Sequence, residues 1–149
     1  MIKEFEIYSA QERERIEYAY RLAEEVLREK KRENGHPFIE HPVGVAAIVA
    51  KEIGLTADCI EAIFLHEALR FHPTLLDEIP AGQFPQDVID IALNLNKIAA
   101  IKPKETRLEA ENYKRLIVSF STDPRVVIIK LADRLEVMRN IALLPKDSQ

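Results

Sequence analysis

Apolar residues recur at intervals of three and four along almost the whole chain, the period of helices with one buried face. The first such stripe, Ile16, Ala19, Tyr20, Ala23, Val26 and Leu27, follows Ser9-Ala10-Gln11-Glu12, the pattern of a reciprocal capping box. This helix is expected to run through the basic stretch Arg28-Glu29-Lys30-Lys31-Arg32, whose cations suit a helix C-terminus, and to stop at Asn34-Gly35. Two His-Pro pairs follow, His36-Pro37 and His41-Pro42. Pro42 suits a first helical position, which makes His41 the N-cap or nearly so. That second helix uses Val45, Ile48 and Val49 and ends at Gly54.

Thr56 is placed to cap a third helix, with Asp58 in its first turn and an apolar interior from Cys59 to Phe71 before Pro73 closes it. Thr74 to Ile79 predicts one short turn of helix, Pro80-Ala81-Gly82 a loop, and Pro85 another helix with Val88, Ile91, Ala92 and Leu95 inward. Residues 98–105 read as a loop, ended by a second capping box at Thr106-Arg107-Leu108-Glu109 and a helix burying Leu116, Ile117 and Phe120. Asp123-Pro124 starts the last long helix, on which Val126, Ile129, Asp133 and Val137 share a stripe. No alternation of period two persists, so the expected fold is all-α.

Composition agrees: 47% hydrophobic, 31% charged and only 4 glycines in 149 residues describe one globular domain with a sizeable core. The net charge of −4 argues against a nucleic-acid surface. No run reaches the ~20 apolar residues of a membrane span, and the N-terminus lacks the apolar region of a signal peptide, so a cytoplasmic protein is expected. Cys59, the single cysteine, allows no internal disulfide and reads as a core residue. The abrupt polar end at Leu144-Pro145-Lys146-Asp147-Ser148-Gln149 suggests a domain, residues 1–149, taken from the front of a longer multidomain chain.

One place breaks the apolar pattern sharply. Phe64-Leu65-His66-Glu67-Ala68 runs an apolar helix straight into an imidazole and a carboxylate, groups that cost free energy to bury without partners. His41 and Asp133 are the groups from other segments that complete a set with them. Two imidazoles and two carboxylates suit Mn, Fe, Zn or Ni, and a divalent ion there can activate water against a phosphate. Each residue also has a plainer reading. His41 is an N-cap, Glu67 a partner of Arg70 three positions on, and Asp133 a partner of Arg139, Arg134 or Lys130.

Four segments together resemble the N-terminal hydrolase domain of the RelA/SpoT family, which belongs to the HD superfamily of metal-dependent phosphohydrolases. Lys31-Arg32-Glu33-Asn34-Gly35-His36-Pro37-Phe38-Ile39-Glu40-His41-Pro42 is similar to the family's basic segment followed by Gly-x-Pro-Tyr/Phe-Ile-x-His-Pro. Ala62-Ile63-Phe64-Leu65-His66-Glu67 resembles its Ala-Ala-Leu-Leu-His-Asp helix, and Asn96-Lys97-Ile98 its Thr-Lys-Leu. Val127-Ile128-Ile129-Lys130-Leu131-Ala132-Asp133-Arg134-Leu135 resembles its Val-Ile-Leu-Ile-Lys-Leu-Ala-Asp-Arg-Leu. Order and intervals agree over roughly residues 12–147.

The resemblance implies that His41, His66, Glu67 and Asp133 hold the metal, with Mn²⁺ as the expected ion. It further implies that Arg32 packs on a guanine base, and that Lys130 and Arg134 steady substrate phosphates or the last ligand. The implied substrate is (p)ppGpp, the signal of the stringent response, and the implied partner a synthetase domain of the same longer chain. Departures from the pattern qualify this. The superfamily's aspartate is Glu67, which moves the carboxylate outward by one bond of about 1.5 Å. The Glu-Asp pair that works on the attacking water is Arg70-Phe71, and arginine cannot act as a general base. The family's Asp-Arg-Leu-His-Asn-Met-Arg reads Asp133-Arg134-Leu135-Glu136-Val137-Met138-Arg139. The expectation is therefore 3′-pyrophosphohydrolase activity that is weak or lost, with a regulatory role toward a synthetase domain. An active metal-dependent hydrolase and a non-catalytic alarmone-binding module are the alternatives. Turnover dependent on Mn²⁺ favours the first alternative, and binding that survives a chelator the second. Arg70 is also placed to pair with Glu67 or Asp133 and fill the metal's position with its own cation.

Overall fold

The computed structural model describes residues 3–99, 114, 118 and 122–142. Six α-helices are traced there: α1 (Ala10–Val26), α2 (Glu40–Ala47), α3 (Ala57–Phe71), α4 (Leu75–Glu78), α5 (Gln86–Ala99) and α6 (Pro124–Ala142). Among the described residues there is no strand, only an isolated bridge between Lys31 and Pro37. The domain is all-α. The second capping box, with Leu116, Ile117 and Phe120 behind it, lies outside the described residues.

The fold is built around α3. Every residue from Cys59 to Leu69 is buried, so this helix is enclosed on all sides rather than along one stripe. α1 and α5 flank it, and α2 and α6 also pack on it and on each other. Phe64 fixes the α1 side, meeting Tyr20 edge-on at 5.5 Å between ring centroids. From α5, Val88, Ile91, Ala92 and Leu95 are fully buried, as their spacing predicts. Cys59 is buried in the same core.

Local signals are mostly obeyed. Ser9 and Glu12 form the reciprocal box that opens α1, and Thr56 stands at the N-cap of α3, although its side chain makes no capping hydrogen bond. α5 continues through Ile98 and Ala99, two residues beyond the expected helix end.

Three other boundaries differ from expectation, each for a physical reason. α1 ends at Val26, with Leu27 as C-cap, and has no basic residue in its last turn. The basic run instead enters a closed loop: Phe38 N–H donates to Lys30 C=O at 2.9 Å, and Arg32 N–H to His36 C=O at 2.8 Å. Gly35, at φ +84°, turns that loop rather than ending the helix. α2 begins at Glu40, so His41 and Pro42 are its second and third residues and His41 is not the N-cap. Proline is tolerated there because N–H groups of a first turn have no intrahelical partner in any case. After Ala47 the chain reaches Gly54 as a π-helical segment, Ile48–Ile53, closed by Gly54 N–H on Val49 C=O at 2.8 Å. The wider turn lets three consecutive residues, Ile48, Val49 and Ala50, all be buried.

α6 is fastened at both ends. Asp123 accepts from the backbone N–H of Arg125 at 3.1 Å, and the Arg125 guanidinium binds Asp87 at the start of α5 through two bonds of 2.8 and 2.9 Å. Near the other end Arg139 holds Glu52 at 2.8 and 3.0 Å. Between these clamps lies the face carrying Lys130, Asp133 and Glu136.

Candidate metal centre

Asp133 and Glu136 lie three apart on α6 and so share a face, which meets His41 on α2. His41 Nδ1–H donates to Glu136 Oε1 at 2.6 Å, and Nε2 lies 3.1 Å from Asp133 Oδ2. Burial alone lowers an imidazole's proton affinity, but the bonds to Asp133 and Glu136 outweigh it and raise the pKa of His41. Burial likewise opposes ionisation of Asp133 and Glu136. The His41 contact for Asp133, and Arg32 with His41 for Glu136, pull both carboxyls below their usual values.

His66 stands opposite, on α3. Its Nδ1–H donates to Asn96 Oδ1 at 3.2 Å, and the Asn96 side-chain N–H returns a bond to His66 C=O at 3.0 Å. That double clamp from α5 orients the ring. Burial lowers the pKa of His66, and in the neutral form with Nδ1 protonated, Nε2 carries the lone pair. Nε2 lies 3.4 Å from Glu67 Oε1. Glu67 is 1% exposed, and its other oxygen, Oε2, is buried without a hydrogen-bond partner.

The four expected ligands thus form two pairs, His41 with Asp133 and His66 with Glu67. The pairs feel each other: the charge of Glu67 favours protonated His41, and that of Asp133 favours protonated His66. Among the described residues, no three His, Cys, Asp or Glu side chains are arranged as they stand to hold a metal ion. The donors nevertheless fit one in kind. Two imidazole nitrogens and carboxylate oxygens, one of them orphaned, are the set that borderline divalent ions take.

The remaining residues divide. Lys130 is mostly buried, and desolvation lowers its pKa against the attraction of Asp133 and Glu67. Arg32 reaches the site from the 30–38 loop and binds Glu136 as a fork, at 2.7 and 2.8 Å. Arg134 is exposed, one residue round α6 from the facing side. Arg70 approaches Glu67 only to 3.7 Å and is 49% exposed, so it borders the site without filling it. Phe71 packs edge-on to Phe38 at 5.8 Å with the Lys30 ammonium 4.4 Å from its ring centroid. His72 bonds Glu78, away from the ligands. Two residues escaped assignment from sequence: Asn96, which fixes His66, and Glu136, which fixes His41. Only the three-residue spacing of Glu136 from Asp133 signalled the latter.

The HD domain model matches residues 19–149. A guanosine-3′,5′-bis(diphosphate) 3′-pyrophosphohydrolase of Aquifex aeolicus is 38% identical over 131 residues, 88% of this chain and 18% of that protein. A GTP pyrophosphokinase of Streptomyces antibioticus is 35% identical, with 90% of this chain and 16% of the relative covered. The bifunctional (p)ppGpp synthase/hydrolase SpoT of Escherichia coli K12 is 31% identical over 91% of this chain and 19% of its own length. The chain belongs to the HD domain family. Within that family it is an HD domain of the RelA/SpoT type, and it spans less than a fifth of the length of these relatives.

Proposed function

We propose that this HD domain holds a divalent ion among His41, His66, Glu67 and Asp133, binds (p)ppGpp, and hydrolyses it weakly or not at all. Its role is regulatory, toward a synthetase domain in a longer chain. The observation that carries the metal reading is Glu67 Oε2, buried without a partner beside the lone-pair nitrogen of a neutral His66. Buried polar atoms without a partner are few in native proteins, and one beside an imidazole lone pair is accounted for by an ion that both donors share. When bound, a divalent ion supplies Lewis-acid polarisation of a phosphate oxygen and a more acidic water.

The chain's own residues do the rest. Lys130, desolvated beside the carboxylates, offers an ammonium to phosphate oxygens. Arg32 gives the edge of its guanidinium to Glu136, and the flat face, which stacking uses, is not what the carboxylate occupies. What is missing is the base. At the positions that would deprotonate an attacking water stand Arg70, permanently protonated, and Phe71, packed on Phe38 and Lys30.

The test is metal content by mass spectrometry on protein purified without chelator, with ppGpp turnover in added Mn²⁺ on the same sample. The expected result is one transition metal per chain and pyrophosphate release slowed at least about 100-fold against an Aquifex-type relative, the size of a lost general base. Release at the relative's rate overturns the weak-activity reading. Absence of metal together with ppGpp binding that survives chelator replaces it with the alarmone-binding alternative.

A further inference from the structure

Both carboxylate oxygens of Glu136 are engaged. Oε1 accepts from His41 Nδ1 at 2.6 Å and from one Arg32 nitrogen at 2.7 Å, while Oε2 accepts from the other Arg32 nitrogen at 2.8 Å. Packing of α6 does not require this, since its hydrophobic seal is made by Val126, Ile129 and Ala132. The contact also depends on an absence. Gly44 lies one turn after His41 on α2, and a Cβ there would meet Glu136 Cγ at 2.9 Å and Oε2 at 3.0 Å. Gly44 is not among the glycines at positive φ, so its backbone does not call for glycine. A mid-helix glycine weakens α2 relative to alanine. A helix-weakening residue thus stands where a missing side chain lets an α6 carboxylate reach the far nitrogen of His41.

We propose that Glu136 is a positioning residue for a divalent metal ion: its carboxylate holds His41 through Nδ1 and turns the ring so that Nε2, 3.1 Å from Asp133 Oδ2, is the nitrogen an ion would take in exchange for its proton, with Arg32 and Gly44 holding Glu136 in place. The proposal rests on the metal reading above. Its chemistry is that of a carboxylate behind a ligating histidine, which fixes the tautomer and raises the basicity of the donor nitrogen. It also assigns Arg32 a second task. The fork that would otherwise be a mobile substrate contact is the brace of a metal ligand.

The test titrates Mn²⁺ alone into the protein, reading free ion by its electron paramagnetic resonance signal. The variants are Glu136→Ala, Glu136→Gln, Gly44→Ala and the double variant Gly44→Ala/Glu136→Ala, with circular dichroism and thermal unfolding recorded for each. Both Glu136 variants should bind Mn²⁺ about 10–100-fold more weakly than wild type. Gly44→Ala should weaken binding in the same direction, and in the double variant it should add nothing to Glu136→Ala, because it acts only by displacing that carboxylate. A merely structural pair predicts lower melting temperatures with unchanged affinity. Mn²⁺ affinity within twofold of wild type in folded Glu136→Gln, or additive losses in the double variant, overturns the proposal. If Glu136→Ala does not fold, the isosteric Glu136→Gln decides. Should the wild-type protein take up no Mn²⁺, the metal reading itself fails and this inference goes with it.

Discussion

Glu61 shows what burial does to a carboxylate that no ligand completes. It lies on α3 facing α1, fully enclosed, with Arg15 Nε 3.3 Å from Oε1, a contact too poorly aligned to satisfy that oxygen. Burial pushes its pKa from 4.5 to about 7, Arg15 pulls it back in part, and Asp58 adds to the rise. The folded state therefore keeps a proton, between pH 4.5 and about 7, that the unfolded chain has released. Stability from this group is full below pH 4.5 and is lost as pH rises through about 7, by at most about 3 kcal/mol. Glu61→Gln, uncharged at every pH, should remove that decline. Urea unfolding of both proteins at pH 5 and pH 8 should show wild type losing stability relative to the variant. An equal change in the two would show that Glu61 does not titrate in the fold.

At the scale of elements, what the sequence made legible was what neighbours in sequence decide. The Ser9–Glu12 box, the apolar interior of α3 and the inward face of α5 are local patterns, and all form as read. The 28–38 loop was not legible. A basic run followed by Asn-Gly fits a helix C-terminus as well as a tight turn, and what decides between them is distant. The loop closes on itself through the Lys31–Pro37 bridge and carries Arg32 to Glu136, 104 residues along the chain. The candidate set His41, His66, Glu67 and Asp133 is legible only through resemblance, whereas the Asn96 and Glu136 contacts need the folded geometry, because nothing local ties an asparagine on α5 to an imidazole on α3. The loop gives its own prediction. A Cβ at Gly35 would touch nothing within 4 Å, so the left-handed φ of +84° is its only demand. Gly35→Ala should cost about 1–2 kcal/mol and Gly35→Asn less, since asparagine tolerates that region. Chemical denaturation ranks the two, and equal midpoints would mean the turn is made some other way.

For the molecule as a whole, the candidate centre joins α2, α3 and α6, elements that meet only when the core is complete. Among the described residues no helix is long and apolar enough to cross a membrane. An ion held by His41, His66, Glu67 and Asp133 would bind the folded chain and not the unfolded one, and should stabilise it by mass action. At Mn²⁺ a hundredfold above its Kd the gain is about 2.7 kcal/mol, a rise of roughly 5–10 °C in Tm for a domain of this size. Glu67→Gln separates this from generic salt effects. Removing the charge relieves a buried oxygen that has no hydrogen bond, so the metal-free variant should be no less stable than metal-free wild type. The same change removes a ligand, so the Mn²⁺-dependent rise should vanish. A residue kept for packing behaves the other way, losing stability without metal and keeping whatever response wild type has. Thermal unfolding of both proteins, with chelator and with Mn²⁺, therefore asks whether α3 buries Glu67 for the fold or in spite of it.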